Sequence, residues 1–313
     1  MADVLAGFRG STHRQYQSCW KAFQSYLRAV RPTSLTRGTV FRFLSHMFHV
    51  RNRRGSTLRT YVASLDDPLR LAFNIQVRGR DLDLIFRGFF NQRPPRRPRR
   101  VFWSLQKVLD LLVSPRYLRR PSVAHLLRRA LFLVAMASGL RASQLHALLR
   151  IPGCLVIAED SSQMSLAPDP AFLAKNEREG HILSPVVIPA WRVDGHPHDL
   201  CPVAALEQYI EATRDTQESR LFLSSTTGSP LSRRQLSTLL CRIIQTADPG
   251  HGPVAQDIRR LSSTLAFLRQ YSVDMVRRDG QWSSSYSFVH HYLQMGLRDV
   301  PCVAMSGAPS TSA

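Results

Sequence analysis

Apolar residues recur at three- and four-residue steps through the first part of the chain, a spacing that predicts helices. Between Thr12 and Val30, the residues Tyr16, Trp20, Phe23, Tyr26 and Leu27 fall on one face. Pro32 and Thr33-Ser34 break the pattern, and Thr39 to Val50 resumes it. Ser56-Thr57 opens a third helix carrying Leu58, Tyr61, Val62 and Leu65, and Pro68 and Asp81 mark the starts of shorter helical pieces. The run Arg93-Pro94-Pro95-Arg96-Arg97-Pro98-Arg99-Arg100 then interrupts all periodicity. Three prolines oppose regular structure and five arginines resist burial, so this run is expected to be an extended linker.

Beyond it, Ser104 is placed to cap Leu105 to Val113, and Pro121 to Leu149 holds strongly apolar helical sequence interrupted near Gly139. The period then shortens. Cys154 to Glu159 and Gln163 to Ala167 read as strands joined through Asp160-Ser161-Ser162, with Ser184 to Trp191 a third. Helical spacing returns over Val203 to Thr213, Ser232 to Ala247, Asp257 to Arg269, Ser272 to Asp279 and Ser285 to Leu293, and the small polar tail Ser306 to Ala313 is expected to be disordered. The expected organisation is mainly α. It comprises a helical domain over 1–92, a basic Pro/Arg linker over 93–101, an α+β domain with a small antiparallel sheet over 102–297, and a flexible tail over 298–313.

Composition sharpens this picture. Apolar residues make up 44% of the 313, enough for packed cores. The 42 basic residues against 22 acidic ones leave a formal charge of +20, and all but Lys21, Lys107 and Lys175 of the cations are arginines. Such an excess on a globular chain suits a polyanion, and the guanidinium fork matches phosphate oxygens in pairs. The longest apolar run, Ala130 to Leu140, is far short of the ~20 residues of a membrane-spanning helix. Residues Met1 to Gly10 lack the apolar core of a secretory signal. Five scattered cysteines fit a reducing, intracellular compartment. His196, His198 and Cys201 lie close enough to suggest zinc, but no fourth ligand is near and Pro197 restricts their convergence, so no metal site is expected.

Four distant segments carry candidate chemistry. In Ser138-Gly139-Leu140-Arg141-Ala142 an arginine sits between apolar helical runs, where it must either reach solvent or face an anion. Lys175 lies in the loop before the third strand. Gln256-Asp257-Ile258-Arg259-Arg260 begins a helix, and Trp282 precedes His290-His291-Tyr292. This set resembles the tyrosine recombinase (phage-integrase-like) family over Thr12 to Leu293, with a further likeness to the recombinases of DIRS-type and crypton-like mobile elements. The resemblance implies an N-terminal helical core-binding (SAM-like) domain followed by a catalytic domain. It also implies roles: Arg141 and Arg259 as the catalytic arginines, Lys175 as the hairpin lysine, Gln256 and Trp282 as phosphate-contacting positions, and Tyr292 as the nucleophile.

The residue types suit the reaction so implied. Two guanidiniums on the non-bridging oxygens favour the more negative transition state. A phenol that forms a phosphotyrosyl ester preserves the bond energy for resealing. An ammonium can protonate the departing 5′ oxygen. The partners implied are double-stranded DNA and a homotetramer on it, with no membrane, small-molecule substrate, cofactor or metal. Arg51, Arg53 and Arg54, with Arg96, Arg97, Arg99 and Arg100 of the linker, are the expected backbone contacts. Two positions depart from the family: Gln256 replaces the usual histidine, and Gln144 stands where an acidic residue is common. They leave open a catalytically decayed or domesticated DNA binder. A monomeric, type IB topoisomerase-like relaxing enzyme is a third reading.

Overall fold

The computed structural model describes residues 10–94, 103–174, 177, 184–250, 252–268, 272 and 275. The chain forms two compact units, 1–98 and 99–313.

The first unit holds four helices: α1 (Gly10–Val30), α2 (Arg37–His49), α3 (Gly55–Phe73) and α4 (Arg80–Gln92). Phe23, Phe43, Leu44, Leu58, Leu65 and Leu69 are fully buried between them, and the Phe23 and Phe43 rings lie 4.9 Å apart. Helix α2 starts two residues earlier than the apolar spacing indicates. Thr36 and Thr39 each accept the other's backbone N–H at 3.3 Å, a reciprocal cap that makes Thr39 the third helical residue rather than the first.

Two features of this unit correct the sequence expectation. Pro68 does not start a new helix but lies inside α3. Proline has no N–H for the carbonyl of Ser64 one turn earlier, which normally breaks a helix. Here the Trp20 indole of α1 donates to that carbonyl at 3.1 Å, so the buried group is satisfied by tertiary contact. Arg93, read as the first linker residue, is fastened to the helical unit. Its guanidinium lies 3.8 Å over the Phe48 ring and donates to the Phe48 carbonyl at 2.7 Å and to the Asn52 amide oxygen.

In the second unit, α5 (Leu105–Leu112), α6 (Pro115–Leu118), α7 (Val123–Ser138) and α8 (Ala142–Ala147) precede the sheet, with α9 (Pro202–Glu211), α10 (Arg233–Ala247) and α11 (Gln256–Leu268) after it. Helix α7 is apolar on nearly every side, with Ala130 through Met136 all buried, and α9, α10 and α11 pack around it. The sheet has the antiparallel order β1 (Leu155–Ile157), β2 (Gln163–Leu166), β3 (Val186–Pro189), with Val156 opposite Ser165 and Ser165 opposite Val187. Met164, Leu166 and Ile188 face the core.

A further hairpin, β4 (Arg192–Val193) and β5 (His196–Pro197), was not expected from the sequence. It turns on Asp194 and Gly195, both at positive φ, the signature of a tight two-residue turn. The hairpin also explains the His-Cys cluster. His198 stacks on Trp191 at 3.6 Å and its Nδ1 accepts the Leu200 N–H, while Cys201 Sγ accepts the Trp191 N–H at 3.3 Å. These side chains are occupied in closing the hairpin. Among the described residues no group of three His, Cys, Asp or Glu is placed to hold a metal ion.

The Trp20–Ser64 bond has a measurable consequence. Trp20→Phe is expected to cost about 1–2 kcal/mol in urea unfolding of the full chain, the penalty for stranding a buried carbonyl. In a Pro68→Ala background the helix regains its own N–H donor, so the same change costs distinctly less. Equal costs in both backgrounds would show that Trp20 acts by packing alone.

Candidate functional site

The site begins where α7 stops. Gly139 adopts a left-handed conformation (φ 59°) and its N–H bonds the Ala135 carbonyl at 3.0 Å. A glycine here ends the helix without Cβ strain, and a Cβ would meet Ser262 Oγ of α11 at 3.4 Å. The chain then turns through buried Leu140 to Arg141, the extended N-cap of α8. Gln144 explains why this short helix holds its start: its amide oxygen accepts the Arg141 N–H at 3.0 Å, and the side chain is buried. Gln144 thus fixes the Arg141 backbone.

Arg259 arrives from α11 and is 2% exposed. Its Nη1 donates to the carbonyl of Gly139, tying the two arginine motifs together across 120 residues of chain. Gln256 lies one turn earlier on the same helix. Arg141, Gln256 and Arg259 all line one cleft of 510 Å³.

The far wall is α10. Ser232 and Gln235 cap it reciprocally, and Leu236, Leu240, Ile243 and Ile244 bury its inner face. The opposite stripe brings Arg234, Thr238, Cys241 and Arg242 to the cleft. A second cleft of 450 Å³ shares Arg234, Thr238 and Arg242 and adds Arg128 of α7 beside Ser224 and Thr226. The α10 arginines were not singled out in the sequence. Their signal was a polar stripe at 234, 238, 241, 242 and 245 opposite an apolar one, indistinguishable in sequence from an ordinary solvated face. Nearby on α8, burial first, then Arg220 and Arg233, holds the His146 imidazole below its ordinary value.

Several guanidiniums around one cleft present planar pairs of N–H donors. Such a cleft can grip the oxygens of a phosphodiester and stabilise added negative charge on them. Of the six expected catalytic residues, the structure brings together Arg141, Gln256 and Arg259. Lys175, Trp282 and Tyr292 lie outside the described residues, as do Arg96, Arg97, Arg99 and Arg100. Arg51, Arg53 and Arg54 are exposed on the loop between α2 and α3 of the first unit.

No family model and no curated protein matches the chain. Solved structures do. The XerH site-specific recombinase bound to palindromic difH substrate is 13% identical, with 89% of this chain and 75% of that chain covered at a TM-score of 0.62. The Tn1549 transposon integrase in complex with transposon right end DNA is 12% identical, covering 92% and 90% at a TM-score of 0.59. The lambda integrase dimer bound to a COC′ core site is 16% identical, covering 94% and 75% at a TM-score of 0.57. At these identities the likeness is one of architecture: the chain has the fold of the tyrosine recombinases and integrases, a helical unit followed by an α+β unit with a small antiparallel sheet.

Proposed function

We propose that the chain is a site-specific DNA recombinase that cuts and rejoins DNA through a 3′-phosphotyrosyl intermediate. The observation that carries this reading is the single cleft lined by Arg141, Gln256 and Arg259, on a fold shared with recombinases solved on their DNA. The Tyr292 phenolate oxygen attacks the scissile phosphorus, and the bond from phosphorus to the 5′ oxygen breaks. Lys175 supplies the proton to that leaving oxygen. Arg141 and Arg259 hold the non-bridging oxygens as charge builds on them. Gln256 and the Trp282 indole donate hydrogen bonds to the same phosphate, and neither exchanges a proton near neutral pH. A 5′-hydroxyl from a second strand then attacks the phosphotyrosine and releases the phenol. The places of Lys175, Trp282 and Tyr292 rest on motif position.

The reaction joins two duplexes, so the acting form is a homotetramer on double-stranded DNA. The domains 1–92 and 102–297 each bind the duplex, and the 93–101 linker with Arg96, Arg97, Arg99 and Arg100, together with Arg51, Arg53 and Arg54, supplies phosphate contacts. A mobile element is the natural source of such an enzyme. The finer likeness to DIRS-type and crypton-like elements, and a nuclear site of action in a eukaryotic host, rest on the sequence motifs. Gln256 in place of histidine favours one second reading, a DNA binder descended from a recombinase that no longer cuts.

Nicked suicide duplexes, drawn from the flanks of the gene and from a randomised pool, separate the two. The wild type is expected to give an SDS-resistant protein–DNA adduct that Tyr292→Phe abolishes. Binding without any adduct in the wild type would establish the binder instead. Arg141→Ala and Arg259→Ala should each lower adduct formation by about 10²–10³-fold, the cost of removing one charge-stabilising donor, while DNA affinity falls far less. Normal cleavage by either variant would refute its assignment. Gln256→His should cleave at least as fast as the wild type, and a sharp loss would give Gln256 a different task.

A further inference from the structure

Asp257 follows Gln256 in the first turn of α11 and has no exposed surface. Burying an ionised carboxylate is costly unless it is fully engaged. Here Oδ2 accepts the backbone N–H of Val254 at 2.9 Å, and Oδ1 accepts from Arg260 Nη1 at 3.3 Å. The Asp257 N–H donates in turn to the Val254 carbonyl at 2.8 Å. Both polar groups of residue 254 are therefore tied to residue 257, which closes 254–257 into one turn.

That turn is a wall of the candidate site, since Val254, Ala255 and Gln256 all line the cleft with Arg141 and Arg259. Val254 is 41% exposed, so its own burial does little to hold the wall in place. The carboxylate also draws Arg260 back along its own helix, one turn on, rather than leaving two adjacent guanidiniums to repel each other.

We infer that Asp257 is a positioning residue: by accepting the Val254 N–H it sets where Gln256 meets the scissile phosphate. This rests on the strand-cleaving reading. A glutamine that only donates a hydrogen bond has no proton chemistry to fall back on, so its contribution depends on placement, and errors near 1 Å cost about 10²-fold. The acceptor matters more than the charge. Asparagine keeps the oxygen that Val254 needs and gives up only the Arg260 contact, whereas glutamate keeps the charge but moves the oxygen by a methylene.

The test uses the full chain, the randomised suicide-duplex pool, single-turnover adduct formation at saturating DNA, DNA affinity, and amide exchange over 252–258. The wild type and Asp257→Asn should agree within about threefold, with Asp257→Glu slower and Asp257→Ala slower by about tenfold or more, a loss expected from misplacement. DNA affinity should be unchanged within about twofold across the series, since phosphate contacts elsewhere supply it. Amide exchange at Val254 should accelerate in Asp257→Ala and not in Asp257→Asn. In a Gln256→Ala background, Asp257→Ala should add no further slowing.

Glutamate cleaving faster than asparagine would overturn the inference, and that comparison stands even if the alanine variant fails to fold. Full additivity with Gln256→Ala, or an alanine variant as fast as wild type, would also overturn it. Absence of adduct in the wild type would instead sink the strand-cleaving reading, and this inference with it.

Discussion

The second unit turns on one contact, the Arg259 guanidinium against the carbonyl of Gly139. It joins the end of the most buried helix to the start of α11. The carbonyl is presented by Gly139 in a left-handed conformation, φ 59°, that strains any residue carrying a Cβ. A guanidinium 2% exposed would be a liability in an apolar core. Placed at a helix end, it finds a carbonyl that needs a donor and still lines the cleft. The same turn delivers Arg141 as the cap of α8, with Gln144 holding its backbone. One left-handed glycine thus sets the course of the chain that brings both arginines to one place.

The electrostatics follow from that arrangement. A chain with a formal charge of +20 spreads arginine widely, but among the described residues most of the arginines are exposed and screened by salt. In the cleft, exposed Arg234 and Arg242 on α10 stand with the buried Arg259 and half-buried Arg141. A phosphate entering there exchanges water for several oriented donors at once. Two glutamines bear on separate parts of this arrangement. Gln144 accepts the Arg141 N–H and so fixes that backbone, while Gln256 brings a neutral amide to the cleft.

Much of the architecture could be read from the chain because its physics is local. The three- and four-residue periods located α1 and α10 to within about two residues, and the switch to a two-residue period located β1 to β3. Where reading failed, a distant group had changed the local rule. Pro68 should end a helix, yet the Trp20 indole supplies the missing donor from 44 residues away. Arg93 heads the run read as an extended linker, yet the Phe48 ring and carbonyl hold it to the helical unit. The β4–β5 hairpin went unread, and beside it His198 stacks on Trp191 while Cys201 accepts that residue's N–H.

The amino-acid order alone determined most of the helix and strand types and the strong basic excess, since propensity and charge travel with each residue. Only the tertiary structure decided that Arg141, Gln256 and Arg259 share one cleft and that α10 adds two further arginines to its wall. It also decided that the Gly139 carbonyl takes its donor from Arg259 of α11. The reason is that convergence depends on how α7 packs against α10 and α11, and that packing is settled by shape and burial summed over the whole core rather than by any short run of sequence.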